Sequence, residues 1–160
     1  MSVSLHVRNR HPRRRLPVPA LRRWLRAAMA EEPIASRARH GGELGLRLVG
    51  AAEMARLNRL HLGHEGPTDV ITFDYAGPGQ PGLWGDIVVC LDVAEEQGRA
   101  LGIPWPRELL RYLVHGLLHL CGYDDLVPEA RRVMKRHENR LVRRLGARLD
   151  VASVENAVQR

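Results

Sequence analysis

Apolar and polar positions alternate from Ser4 to Arg8, the period of a β-strand with one buried face. Leu44, Leu46 and Leu48 alternate with Gly45 and Arg47 in the same way and predict a second strand. Between them, Pro17 and Pro19 open a stretch that runs through Met29 and places Leu21, Trp24, Leu25 and Ala28 on one helical face. Residues 30 to 42 show neither period and end in Gly41-Gly42, so they read as a loop. Ala51 to Leu62 follows as a helix. Val70-Ile71-Thr72-Phe73 is a short β-rich run, AGPGQPG a loop, and Asp86 to Cys90 a strand of the fully buried kind. Residues 92 to 101 are helical, Pro104 and Pro106 start another helix, and Val127 to Leu145 forms the last long one. Strands and helices interleave without repeat or long linker. The expected class is α/β (α+β): one domain over residues 1–160, with about four strands and helices packed on them.

The helix from Arg107 to Cys121 is apolar around most of its circumference, through Leu109, Leu110, Leu113, Val114, Leu117, Leu120 and Cys121. Glu108, Arg111, Tyr112, His115 and His119 collect on one narrow polar row. The four-residue spacing stacks His115 and His119, close enough for both imidazoles to reach one ion. Gly122 supplies a left-handed residue that ends the helix, and the reversed chain brings back Asp124 or Asp125. Two interpretations stay open on spacing alone. One is a three-ligand metal site with a position left for water, the other a polar stripe facing solvent.

Charge adds a partner class. The formal charge of +7 comes almost wholly from arginine, because Lys135 is the sole lysine. Arginine suits bidentate contact with phosphate, which points to nucleic acid, although a basic solvated surface has the same composition. Phe73 is the sole phenylalanine and aromatics are scarce, so base stacking is not expected to be the main binding device. Cys90 and Cys121 are too few for a disulfide framework and read as buried thiols. No apolar run approaches bilayer length and the N-terminal residues lack an apolar signal core, so a soluble, cytoplasmic protein without a membrane partner is expected.

The stretch HGLLHLCGYDD, residues 115 to 125, resembles the signature of the YbeY family of bacterial ribosomal-RNA maturation endoribonucleases, His-Gly-x-x-His-Leu-x-Gly-Tyr-Asp-His. LNRLHLGHEGPTDVITFDY, residues 57 to 75, and WGDIVVC resemble two further segments of that family, in the same order. The resemblance implies a fold related to zincin metalloproteases, with the metal helix at residues 107 to 121. It also implies a bound zinc and single-strand-specific cleavage of RNA. The substrate would be the 3′ end of small-subunit ribosomal RNA, with the small ribosomal subunit as partner and a part in ribosome quality control. Gly116 stands where HExxH proteases carry their general base, which disfavours a peptidase.

Two positions depart from the family. Its third histidine falls at Asp125, so the implied metal set is His115, His119 and Asp125. Two histidines and one carboxylate also suit iron or another divalent ion. Its arginine falls at Leu62, which cannot neutralise a phosphate, leaving Arg59 and His64 as candidate catalytic substitutes. Arg59, Asp86 and Tyr123 are the candidate substrate contacts, Asp86 as a cleft residue or loop cap and Tyr123 as a phosphate donor. Thr68 and Asp69 are expected to organise a turn and Arg13-Arg14-Arg15 a solvated loop. His6, His11, His40 and His137 lack partner spacing. The alternative function is a non-catalytic RNA-binding ribosome-assembly factor with a structural metal.

Overall fold

The computed structural model describes residues 2–154. Its elements in chain order are β1 (Val3–Asn9), α1 (Val18–Met29), α2 (Ile34–Ala38), β2 (Gly42–Val49) and α3 (Ala51–Leu62). They continue with β3 (Val70–Asp74), β4 (Leu83–Cys90), α4 (Leu91–Leu101), α5 (Trp105–Leu120) and α6 (Pro128–Arg148). The four strands form one mixed sheet in the order β1-β2-β4-β3. β1 and β4 flank β2 in parallel, with Leu5 opposite Leu44 and Leu46 opposite Ile87, while β3 closes the far edge antiparallel, with Ile71 opposite Val88.

The two faces of the sheet are used differently. Leu44, Leu46, Leu48, Ile87 and Val89 project to one face and form the main core with α1, α4, α5 and α6. Burial of each such leucine or isoleucine contributes about 1.5–3 kcal/mol. On the other face a small cluster of Val49, Met54, Leu57, Ile71, Val88 and Cys90 lies beneath α3. Among the described residues no helix covers the rest of that face, where an open cavity lies.

One element differs from the expectation. The stretch 30 to 42 contains the short helix α2, whose Ile34 and Ala38 are buried. Five residues are too few to display a helical period. The polar row of α5 is also divided: Glu108 and Tyr112 are buried, whereas Arg111, His115 and His119 are half-buried. Cys90 is buried and Cys121 half-buried.

Candidate metal centre

Close packing of α5 on the sheet fixes which way its histidines point. A Cβ at Gly116 would lie 2.8 Å from Cγ2 of Ile87, and one at Gly85 would lie 2.5 Å from Cδ2 of Leu120. Glycine at both positions lets helix and sheet approach. Gly116 therefore faces β4, and the position that carries a protease glutamate has no room for one. His115 and His119 are turned toward α6 and the chain reversal, which begins at Gly122 with φ +96°.

His115 Nδ1 lies 2.8 Å from Oε1 of Glu138, on α6, and His119 Nδ1 lies 3.0 Å from the carbonyl oxygen of Tyr123. A carbonyl only accepts, so His119 Nδ1 donates. Glu138 is 2% exposed. Burial alone would raise its carboxyl. The hydrogen bond from His115 and the charge of Lys135 more than offset this and hold it down at about 2. Glu138 is therefore ionised and accepts from His115 Nδ1. A neutral imidazole with its proton on Nδ1 keeps its lone pair on Nε2.

Those two Nε2 atoms are 3.0 Å apart, and Oδ2 of Asp125 lies 3.6 Å from one and 3.9 Å from the other. Two lone pairs and a carboxylate oxygen converging on one point repel unless a cation lies between them. A tetrahedral ion with bonds of about 2.0–2.1 Å holds its ligand atoms about 3.4 Å apart, which the three separations bracket. His115, His119 and Asp125 form a cluster that could hold a metal ion, and the donor set fits zinc or another divalent metal. Burial, then the neighbouring His115, lowers the His119 pKa and favours the neutral, ligating form.

Asp124, the other aspartate of the turn, is exposed and instead accepts from the Leu126 N–H at 3.2 Å. Tyr123 contributes its carbonyl. Its ring packs edge-on against His137, with centroids 5.0 Å apart. Arg59 and His64 are exposed at the end of α3 and beyond it. Neither lines the cavities that reach His115. Leu62 is 51% exposed. Asp86 is not brought to the cluster. Gly85 and Ile87 face α5, so the two-residue period of β4 turns Asp86 to the opposite side of the sheet, where it accepts from the Tyr75 hydroxyl at 3.0 Å. It lines no cleft beside His115.

Other motif residues hold the surroundings. Asp69 Oδ1 accepts from the Val70 N–H at 2.7 Å, and Asn58 donates to the Gly66 carbonyl at 2.9 Å. A cavity of about 760 Å3, lined by Thr68, Asp69, Arg111, Tyr112, His115 and Glu138 among others, opens beside the start of β3. A second, of about 290 Å3, joins His115 and Asp125 to Arg131, Arg132 and Lys135 of α6. Glu138 and these three cations were not singled out from the sequence. A signal for Glu138 existed: Met134, Leu141, Val142 and Leu145 mark the apolar face of α6, and Glu138 sits in the middle of it.

A mixed four-stranded sheet, with a His-His-Asp cluster on the helix packed against it, places the protein among single-domain α/β proteins with a candidate metal centre. Residues 6–146 match the family model for Endoribonuclease YbeY. The chain belongs to the YbeY endoribonuclease family. Its relatives include the endoribonuclease YbeY of Bordetella pertussis, 40% identical over 146 residues, with 90% of this chain and 92% of the relative covered. The YbeY of Chlorobium luteolum is 39% identical over 115 residues, covering 72% and 82%. The solution structure of TM1509 from Thermotoga maritima shares the fold, with a TM-score of 0.67 at 24% identity over 94% of this chain and 95% of that one.

Proposed function

We propose that this chain is a metal-dependent endoribonuclease that cuts single-stranded ribosomal RNA during maturation of the small-subunit 3′ end. In this reading it acts in the cytoplasm, with the small ribosomal subunit as partner and zinc as the resident metal. The observation that carries it is the convergence of the His115 and His119 Nε2 lone pairs with Asp125 Oδ2, in a chain of this family. When bound, a divalent ion lowers the pKa of a water and polarises a phosphoryl oxygen.

The chain's own residues do the rest. Glu138 and the Tyr123 carbonyl keep both imidazoles in the ligating tautomer. Arg131 donates to the Asp125 carbonyl at 3.2 Å and steadies the turn that carries the carboxylate. Arg132 and Lys135, in the same cavity as His115 and Asp125, attract the phosphodiester in the absence of an arginine at position 62. Arg59 and His64, exposed near Leu62, are the alternative clamp. A larger rate loss in Arg59→Ala than in Lys135→Ala would assign the clamp to α3.

The departures at Leu62 and Asp125 support a second reading, a non-catalytic RNA-binding assembly factor in which the metal only stabilises the fold. The two separate in one experiment: metal analysis of the purified chain joined to cleavage of single-stranded and duplex RNA, with and without chelator. Chelator-sensitive cutting of the single strand supports the nuclease. Metal-dependent melting with no cutting supports the assembly factor.

A further inference from the structure

The face of the sheet turned away from α5 carries a feature that the metal centre does not use. Ser4, His6 and Arg8 of β1, Glu43, Gly45 and Arg47 of β2, and Trp84 and Asp86 of β4 all point to this side, because their neighbours fill the main core. Here α3 covers only the end built on Val49, Ile71, Val88 and Cys90. The uncovered end forms an open cavity of about 640 Å3, lined by Arg8, Arg10, Arg47, Tyr75, Trp84 and Asp86 among others.

Three properties of this cavity point to one kind of ligand. Arg8 and Arg47 are register partners in adjacent parallel strands, about 5 Å apart at the backbone. Like charges placed opposite each other destabilise a sheet. Arg14, Arg39, Arg56 and Arg111 sit on carboxylates. The side chains of Arg8, Arg10 and Arg47, by contrast, make no hydrogen bond or ion pair among the described residues, although Glu43 lines the same cavity and the charges of Arg10 and Arg47 reach Glu53. An anion between them relieves the repulsion and satisfies the donors.

The second property is aromatic. Tyr75 is 62% exposed and Trp84 is half-buried, its ring tethered by a 2.8 Å hydrogen bond from Nε1 to the Pro81 carbonyl. The third is Asp86. One carboxylate oxygen accepts from Tyr75 while the other lies over Gly45, where a Cβ would come within 2.1 Å of it. Glycine at position 45 leaves room for this oxygen beside the cavity that both residues line. Phosphate donors on one side, aromatic rings on the other and a carboxylate acceptor between them match the parts of a nucleotide: backbone, base face and exocyclic amino group. The volume suits one or two nucleotides.

We propose that this face is a second RNA-contact surface, which holds a single-stranded segment outside the metal cleft. Its phosphates lie on Arg8, Arg10 and Arg47, and a base lies against Tyr75 and Trp84 with its amino group on Asp86. The proposal rests on the reading of the chain as an RNA-acting enzyme and extends it, since a substrate held at two places gains affinity from both.

The test is fluorescence anisotropy of labelled oligocytidylate and oligouridylate with the full chain, stripped of metal by chelator so that the probe stays intact. For single strands each lost phosphate contact lowers the slope of log affinity against log salt by about 0.7. The double variant Arg8→Gln/Arg47→Gln should therefore lose about 1.4 from the slope and bind roughly tenfold more weakly. The double variant Arg99→Gln/Arg143→Gln, on exposed helical positions elsewhere, should bind like wild type. Asp86→Ala should keep the slope but lose any preference for cytosine, whose amino group uracil lacks. Melting temperature checks that every variant is folded.

Wild-type slope and affinity in the Arg8/Arg47 variant overturn the proposal and leave this face to a protein partner. If Arg132→Gln/Lys135→Gln then abolishes binding, RNA recognition stands but belongs to the metal cleft alone. Wild-type chain that binds neither oligonucleotide without metal and cuts neither after metal is returned overturns the reading of the chain as an RNA-acting enzyme itself; cutting on return of metal with no metal-free binding overturns the second surface alone.

Discussion

Removal of the Glu138 side chain should weaken metal binding by one to two orders of magnitude although Glu138 is not among the three ligands. Its Oε1 accepts from His115 Nδ1 at 2.8 Å, and its Oε2 lies 2.8 Å from Arg111 and 3.2 Å from Lys135. In Glu138→Ala the His115 Nδ1 proton loses its partner, the ring is free to turn, and the tautomer with a proton on Nε2 cannot ligate. Loss of such an outer partner typically costs 10–100-fold in metal affinity, or about 1.4–2.7 kcal/mol. Glu138→Gln keeps an acceptor oxygen without the charge. A charge-assisted hydrogen bond is about twice as strong as a neutral one, so this variant should fall at the lower end. Competition for zinc against a chromophoric chelator at neutral pH gives the affinity directly. Melting with and without metal gives it a second time, because the metal-induced rise in stability follows the dissociation constant. The metal-free melt separates plain loss of fold stability. Folded Glu138→Ala that binds zinc within twofold of wild type would refute the reasoning, since it would show that His115 needs no partner to present Nε2.

Gly116→Ala brings a methyl against Ile87 and should cost about 1–3 kcal/mol in packing, partly offset by about 1 kcal/mol of better helix propensity; thermal melting reads the difference. Gly116→Glu should destabilise further and confer no peptide hydrolysis, as a fluorogenic casein assay would reveal. Asp125→His should retain stoichiometric metal and Asp125→Ala should lose it under the same dialysis, read by elemental analysis, because both imidazoles already present Nε2. The Glu138 carboxyl is held at about 2, below its ordinary 4.5. The stability it contributes is therefore complete above about 4.5 and is lost as pH falls from there toward 2. Denaturant melts of the metal-free chain across that window should fall more steeply for wild type than for Glu138→Gln.

The parts of the site that lie close together along the chain were legible before the fold was known. The spacing of His115 and His119, the left-handed Gly122 and the returning aspartate all belong to one helix and the turn after it. Local periodicity suffices there. Glu138 lies 23 residues from His115, and only the packing of α6 on α5 brings them together. Its place on the apolar face of α6 was the available clue, since a carboxylate among buried leucines needs a partner. The side of the sheet on which Asp86 lies was not legible, because strand alternation alone does not say which face carries the helix. The packing of Gly85 and Ile87 against α5 settles that. His11 showed no partner spacing, yet it is 1% exposed and bonded at 2.8 Å to Asp92, 81 residues away. Its Nδ1 accepts the backbone N–H of Arg13 and Arg14, so it fastens the loop after β1 to the start of α4. Long-range pairs of this kind leave no local period.

The most direct test of the metal-centred nuclease is single-strand RNA cleavage by wild type and Asp125→Ala during stepwise return of zinc to chelated protein. Cleavage by wild type should be absent without metal and should rise to a plateau near one ion per chain, while Asp125→Ala should need far more zinc. Undiminished cleavage by fully chelated wild type, or identical titration curves for the two proteins, would contradict a catalytic centre built on His115, His119 and Asp125.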